Sequence, residues 1–188
     1  MRAARIPPVD APPAFRRQLL DAIPRVRRYA RTLAFDAAVA DDLTQQTLER
    51  ALSHWRQFDP RREMGVWLLS IAHNAHMDSL RREARMTVTD PAELERTQDA
   101  DGGDPGQDVG LRMDLQAALA LLPTEQREAL LLVCVEQLSY AEVAEVMHIP
   151  IGTVMSRVCR ARAVLRQFLS GQVRPAVVAA PTALRRVV

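Results

Sequence analysis

Apolar residues recur at three- and four-residue intervals along most of the chain, the period of an α-helix. Phe15, Leu19, Ile23 and Val26 make one such run, and Tyr29, Ala30 and Leu33 carry it on. Pro24 predicts a kink or break inside it. A second helix is predicted over about Val39–Trp55. Its Leu43, Leu48, Leu52 and Trp55 point inward, and Asp41, Asp42, Gln45, Gln46 and Glu49 mostly outward. Phe58-Asp59-Pro60-Arg61 reads as a turn, because proline disfavours helix at the residue before it. A third helix runs from near Glu63 to about Arg85, with Trp67, Leu68, Ile71, Ala72, Ala75 and Ser79 as its stripe. Arg81, Arg82 and Arg85 suit the negative end of its dipole. Trp55 and Trp67 read as core anchors.

The later part is patterned more sharply. Leu111–Leu122 is one helix, stopped by Pro123, and Thr124 is expected to cap the next. That helix carries Ala129, Leu130, Leu132, Val133 and Val135, with Cys134 expected in the core. Ser139 and Glu142 form an S-x-x-E capping box for a short helix, Tyr140–Met147. A turn at His148-Ile149-Pro150 follows, then a last helix from about Ile151 to Leu169. Short helix, tight turn and longer helix make a helix-turn-helix. Val143, Ala144 and Met147 line the inner face, and Ile149 plugs the corner. Val154, Val158, Ala161 and Leu165 form one face of the last helix. Met155, Ser156, Cys159, Arg160 and Arg162 lie on or beside the opposite face, flanked by Arg157 and Arg166.

Composition narrows the class. The 188 residues are 48% hydrophobic and 26% charged, so the chain is globular, and 4% aromatics with only 7 Gly favour helices over a β-sandwich or barrel. The expected fold is all-α. No stretch approaches the roughly 18 apolar residues of a membrane span. The N-terminus lacks the apolar core of a secretion signal, so a cytoplasmic protein with no membrane insertion is expected. Two Cys exclude a disulfide scaffold.

Charge divides the chain. Residues 12–86 carry a net +4, residues 87–110 a net −6, residues 111–150 a net −4, and residues 151–170 a net +4. The stretch Asp99–Gly110, DADGGDPGQDVG, cannot bury enough surface to offset its ordering entropy. Residues 87–110 are therefore expected to be a flexible acidic linker between two small helical domains, 12–86 and 111–170. Residues 1–11 and 171–188 are expected to be loose tails. All 25 basic residues are Arg, for which GC-rich coding is sufficient explanation. An arginine run is most often a solvated face. Here the tri-helical frame, the cap, the corner and the absence of any acid after Glu145 point to DNA in the major groove.

The same residues resemble a known family. Leu122-Pro123-Thr124-Glu125-Gln126-Arg127-Glu128-Ala129-Leu130-Leu131-Leu132, Leu138-Ser139-Tyr140-Ala141-Glu142-Val143-Ala144 and Ile149–Val158 are similar to region four of bacterial RNA polymerase sigma factors, in particular the small extracytoplasmic-function group. Asp42-Leu43-Thr44-Gln45-Gln46-Thr47, Phe58-Asp59-Pro60 and Trp67–Asn74 through Asp78–Arg82 resemble region two. Together they span roughly residues 12–170, in the family's order.

The resemblance implies a sigma factor that directs promoter-specific initiation by core RNA polymerase, the polymerase doing the chemistry. Asp41, Asp42, Gln45, Gln46 and Glu49 would dock on the β′ clamp, and the β flap would be a further contact on the polymerase. The loop Phe58–Val66 and the surface around Asn74 would hold a flipped base of the −10 element, with Phe58, Arg61, Arg62 and Asn74 as candidates. Arg81, Arg82 and Arg85 would hold backbone at the melted edge. Thr153, Met155, Ser156, Arg157, Cys159 and Arg160 would read the −35 element. The acidic linker would lie near the RNA exit path, and an anti-sigma factor would cover both faces. Departures from the family pattern are Met155 for the usual Lys or Arg, His148 for Gly, Gln46 and Leu48 for Glu and Phe, and Gly65 inside the promoter loop. Met155 suits a thymine methyl.

His73 and His76 lie three apart, but zinc takes about four ligands and none accompany them in sequence. They are expected to flank the Asn74 surface, and no metal or other cofactor is expected. No phosphate loop, nucleophile elbow or acid pair appears, so no enzymatic chemistry of its own and no small-molecule substrate are expected. Two other readings fit parts of the pattern. A dimeric helix-turn-helix regulator predicts a palindromic operator, and a helical adaptor predicts no salt-dependent DNA affinity.

Overall fold

The computed structural model describes residues 10–87 and 109–170. The C-terminal tail, most of the N-terminal tail and residues 88–108 of the expected linker lie outside them. The described residues form seven α-helices and no strand: α1 (Pro13–Ala34), α2 (Ala37–Ser53), α3 (Met64–Thr87), α4 (Val109–Ala120), α5 (Thr124–Cys134), α6 (Tyr140–Met147) and α7 (Ile151–Leu169), with a 3₁₀ turn at Trp55–Gln57.

In the first group, α1 runs unbroken through Pro24 and buries Phe15, Leu19, Val26, Tyr29, Ala30 and Leu33. The expected break is absent because Pro24, and Leu20 whose carbonyl loses its partner, both face solvent. Phe35 ends α1 in a left-handed conformation, and the Asp36 carboxylate accepts from the Val39 amide at 2.8 Å to start α2. The inward face of α2 is rotated from the predicted one. Ala40, Leu43, Thr44, Thr47 and Ala51 are buried, while Leu48, Leu52 and Trp55 are half-buried. Thr44 and Thr47 tolerate burial because their hydroxyls donate to the Ala40 and Leu43 carbonyls at 2.8 and 2.7 Å. Phe15, Trp55, Phe58 and Trp67 close the far end of this group, with ring centroids 5.2–6.4 Å apart.

In the second group, α5, α6 and α7 bury Leu130, Leu131, Leu132, Val143, Val146, Met147, Val154, Val158 and Ala161. Thr124 does not cap α5. Pro123 holds the cap position and Thr124 is the first helical residue. Cys134 is exposed rather than in the core, because α5 ends there and the thiol turns out toward Arg162, 3.8 Å away. The Ser139–Glu142 capping box forms as predicted. The Ser139 hydroxyl accepts from the Glu142 amide at 3.3 Å, and the Glu142 carboxylate accepts from the Ser139 amide at 2.8 Å. The Ser139 hydroxyl also donates to the Glu142 carboxylate at 2.6 Å, and that bond, followed by the one from the Ser139 amide, holds the Glu142 carboxyl below its usual range.

The two groups lie docked. One continuous apolar cluster holds Tyr29, Leu33 and Leu69 together with Leu131, Val143 and Val146. Helix α3 is its pivot. Met64 and Leu68 join the first group's own core, and Leu69, Ala72 and Ala75 the shared one. With two faces of α3 covered, His73 and His76 are buried instead of flanking a surface.

His148 ends α6 at φ 53°, where a side chain is strained and glycine is not. His148→Gly is expected to raise the unfolding free energy by about 1 kcal/mol. Denaturant unfolding of the full chain measures it, and a loss of stability would contradict the assignment of strain.

Candidate nucleic-acid interface

The outer face of α7 follows from the way its inner face is anchored. With Val154, Val158 and Ala161 buried against α5 and α6, the helix must turn Met155, Cys159 and Arg160 to solvent, Met155 being 53% exposed. Arg160 and Arg166 have no acidic partner among the described residues. Thr153, Ser156 and Arg157 are half-buried beside this strip. The Ser156 hydroxyl donates to the Thr153 carbonyl at 2.9 Å, and Arg157 is held by Glu125 of α5. The expected set therefore separates into an open strip of three residues and a flank already engaged within the protein.

The other expected DNA-contacting residues are strung along α3. Arg61 and Arg62 sit exposed in the turn before it, organised by the Asp59 carboxylate, which accepts from the Arg61 amide at 3.0 Å. Phe58 is half-buried against Phe15 and Trp67, so its ring is committed to packing. Asn74, Arg81, Arg82 and Arg85 are exposed and share one helical face. Asp78 lies among them, 3.8 Å from Arg81, and its carbonyl accepts from Arg82 at 3.2 Å. From Met64 to Arg85 is about 30 Å of helix, so these residues line a track rather than a pocket. Helix α2 presents Asp41, Asp42, Gln45 and Glu49 on a separate exposed face, with Gln46 half-buried. Asp41 pairs with Arg27 at 2.9 Å, which lowers its carboxyl below the usual range.

The most heavily buried polar cluster lies between the two groups, and sequence reasoning missed it. Glu128 of α5 has no exposed surface. Its Oε1 accepts from the Tyr29 hydroxyl at 2.5 Å and lies 2.7 Å from His73 Nδ1, both in the first group. Its Oε2 has no partner. Burial, and then the neighbouring carboxylate, hold the Tyr29 phenol well above its ordinary range, and burial lowers His76. Glu136, also buried, accepts from Arg25 at 2.8 Å and lies 3.5 Å from Arg28. Arg25 also pairs with Glu63, and its guanidinium passes over Gly65, where a Cβ would force it to shift. At the other end Arg127 lies over the Phe35 ring and donates to the Leu33 carbonyl at 3.3 Å. Arg62 completes the series, 3.4 Å from Glu145 of α6.

Among the described residues, no group of three or more His, Cys, Asp or Glu could hold a metal ion, and no helix is long and apolar enough to cross a membrane. What the surface offers is cationic helix faces and an acidic helix face, the chemistry of nucleic-acid and protein contact.

Comparison with known proteins agrees. The family description "Sigma-70 region 2" matches residues 20–86, and "Sigma-70, region 4" matches residues 112–165. The ECF RNA polymerase sigma factor EcfG of Rhodopseudomonas palustris is 36% identical over 164 residues, 83% of this chain and 85% of that protein. The ECF RNA polymerase sigma factor SigC of Mycobacterium tuberculosis is 40% identical over 129 residues, 68% of each. A crystal structure of the sigma factor RpoE in complex with the anti-sigma factor NepR from Bartonella quintana superimposes with a TM-score of 0.74. It has 29% identity and covers 84% of this chain and 97% of that one.

Arg25→Ala leaves the buried Glu136 carboxylate with Arg28 alone, 3.5 Å away, and is expected to lower the unfolding free energy by about 2 kcal/mol. Arg27→Ala, which breaks an exposed pair, should leave the melting curve nearly unchanged. Equal effects in thermal denaturation would contradict the distinction.

Proposed function

This chain belongs to the extracytoplasmic-function sigma factors of bacterial RNA polymerase, and from that premise we propose how its surfaces divide the work. It is an alternative sigma factor, a transcription initiation factor that lends promoter choice to the polymerase. We assign residues 12–87 to the region 2 body, residues 109–170 to the region 4 body, and residues 88–108 to the acidic linker, since α3 and α4 extend one and two residues into the 87–110 stretch expected as linker.

The region 4 body puts α7 into the major groove of the −35 element. Met155, Cys159 and Arg160 face base edges, while Thr153, Ser156 and Arg157 meet phosphate. Arg157 exchanges Glu125 for a phosphate oxygen in doing so. Met155, apolar on a basic strip, contacts a thymine methyl. Arg61, Arg62 and Asn74, backed by the Phe58 packing, hold the −10 element, and Arg81, Arg82 and Arg85 track its backbone along the exposed face of α3. Melted DNA suits such a track, because flipped and single-stranded bases need cations and stacking surfaces.

Asp41, Asp42, Gln45, Gln46 and Glu49 of α2 dock on the β′ clamp, and the region 4 body meets the β flap. An anti-sigma factor restrains the chain, a reading supported by the relative whose structure carries one. Polymerase and promoter place the protein in the cytoplasm. The observation that carries the proposal is an exposed arginine-bearing α7 on a capped helix-turn-helix, in one chain with a region 2 bundle. A dimeric helix-turn-helix regulator leaves that bundle without a role.

Run-off transcription with core polymerase over a promoter library tests the reading. Transcripts dependent on both elements are expected, and Arg160→Ala should lower initiation about tenfold. Replacing −35 thymines by uracil should weaken wild-type holoenzyme binding and leave the Met155→Ala holoenzyme unmoved. A full promoter footprint by the chain alone would contradict the assignment.

A further inference from the structure

We propose that Arg56, laid over the ring of Trp55, is a further contact for unpaired DNA beside the −10 element, where it takes a backbone phosphate of the melted strand. This rests on the assignment above of the −10 element to the loop that follows Phe58.

Three observations carry it. The first is where the pair stands. Trp55 and Arg56 open the 3₁₀ turn Trp55–Gln57, which leads directly into Phe58 and the loop. Turn and loop rest on the same rings. Phe15 touches all of them, its ring centroid 6.4 Å from that of Trp55, 5.8 Å from Phe58 and 6.0 Å from Trp67. The Phe58 amide donates to the Trp55 carbonyl at 3.2 Å, which ties the turn to the start of the loop. A side chain carried on this turn is therefore held in fixed register with whatever the loop holds.

The second is the state of the two side chains. A core anchor is buried, but Trp55 is only half-buried, and the Arg56 guanidinium carbon lies over its ring, 5.4 Å from the centroid. Arg56 itself is exposed and meets no carboxylate among the described residues. A guanidinium resting on an indole keeps N–H donors at its edge for phosphate and has less side-chain freedom to lose on binding. Packing against Phe15 and contact with Arg56 give this tryptophan two separate uses.

The third is the sign of the charge along the chain. The acids of α2 end at Glu49. From residue 50 to residue 62 the charges are Arg50, Arg56, Arg61 and Arg62 against Asp59 alone. Arg50 is paired with Asp78 at 3.2 Å, Arg62 lies 3.4 Å from Glu145, and the next acid, Glu63, is paired with Arg25. Asp59 accepts from the Arg61 amide at 3.0 Å. Arg56 and Arg61 remain, one on either side of Phe58 in sequence. Cations spaced along one segment suit a phosphate backbone, and an aromatic ring beneath one of them suits an unpaired strand. The face proposed for polymerase, on α2, is of the opposite sign.

Holoenzyme binding to a fork template tests the proposal. The template is duplex through the −35 element and single-stranded through the −10 element, and comes from a promoter the chain selects in run-off transcription. Arg56→Gln should weaken binding about fivefold and make the slope of log affinity against log salt shallower by about 0.7, the signature of one single-strand phosphate contact. Trp55→Leu keeps the charge but removes the ring beneath it, and should show a smaller loss at the wild-type slope. On a duplex probe carrying the −35 element alone, both variants should match the wild type. Wild-type affinity and slope for Arg56→Gln on the fork overturn the proposal, as does an equal loss on the duplex probe. Weaker binding of Arg56→Gln to core polymerase without DNA also overturns it and moves the residue to the protein interface. If Trp55→Leu fails to fold, Arg56→Gln decides by itself. A wild-type holoenzyme that does not distinguish the −10 single strand from a scrambled one refutes the loop assignment and this contact with it. Loss of fork affinity in Arg61→Gln but not in Arg56→Gln refutes this contact alone.

Discussion

A carboxylate removed from water must find donors, and Glu128 finds them only across the seam between the two helical groups. That requirement sets how the groups meet. Tyr29 comes from α1, His73 from α3 and Glu128 from α5, so three helices are brought into register at one oxygen. Leu33, Leu69, Leu131 and Val143 then close around it as a single apolar cluster. The ion pairs at Arg25 and Arg62 lie toward the rim of the same seam. Helix α3 bears most of the consequence, since it is covered on two faces and must carry its exposed arginines on the one that remains.

Much of this was legible in the residue pattern. Helical periodicity located the seven α-helices but not the 3₁₀ turn at Trp55–Gln57, and the S-x-x-E signature placed α6 from Tyr140 to Met147, where the structure has it. The outer face of α7 followed from Val154, Val158 and Ala161 at its inner one. What escaped were features decided by tertiary contact. Thr44 and Thr47 read as polar yet lie buried, because local hydroxyl bonds satisfy them. Leu48 and Leu52 were expected inward and are half-buried, since the small side chains of α2 face the bundle instead. The seam left a trace that was overlooked. Glu128 stands four residues before Leu132, a charge in the apolar register of α5, and Tyr29, Leu33 and Leu69 exceed what a three-helix group alone needs. His73 and His76 could not be placed without the partner helix that buries them.

The candidate surfaces differ in how directly the fold displays them. Met155, Cys159 and Arg160 project from a rigid, well-anchored helix, the kind of element that reads base edges with precision. The α3 track is longer and interrupted by Asp78, which suits backbone guidance more than base discrimination. The acidic residues of α2 form a separate exposed face, which suits the proposed division between polymerase and DNA. On the proposed assignment the chain, as a transcription initiation factor, positions duplex at one end and melted strand at the other.

Permanganate probing of unpaired thymines on a promoter selected by this chain tests that division of labour most directly. The account predicts reactive thymines at the −10 element only when chain and core polymerase are both present, and their loss when the −35 element is scrambled. Opening by the chain alone, or by polymerase without it, would contradict the account.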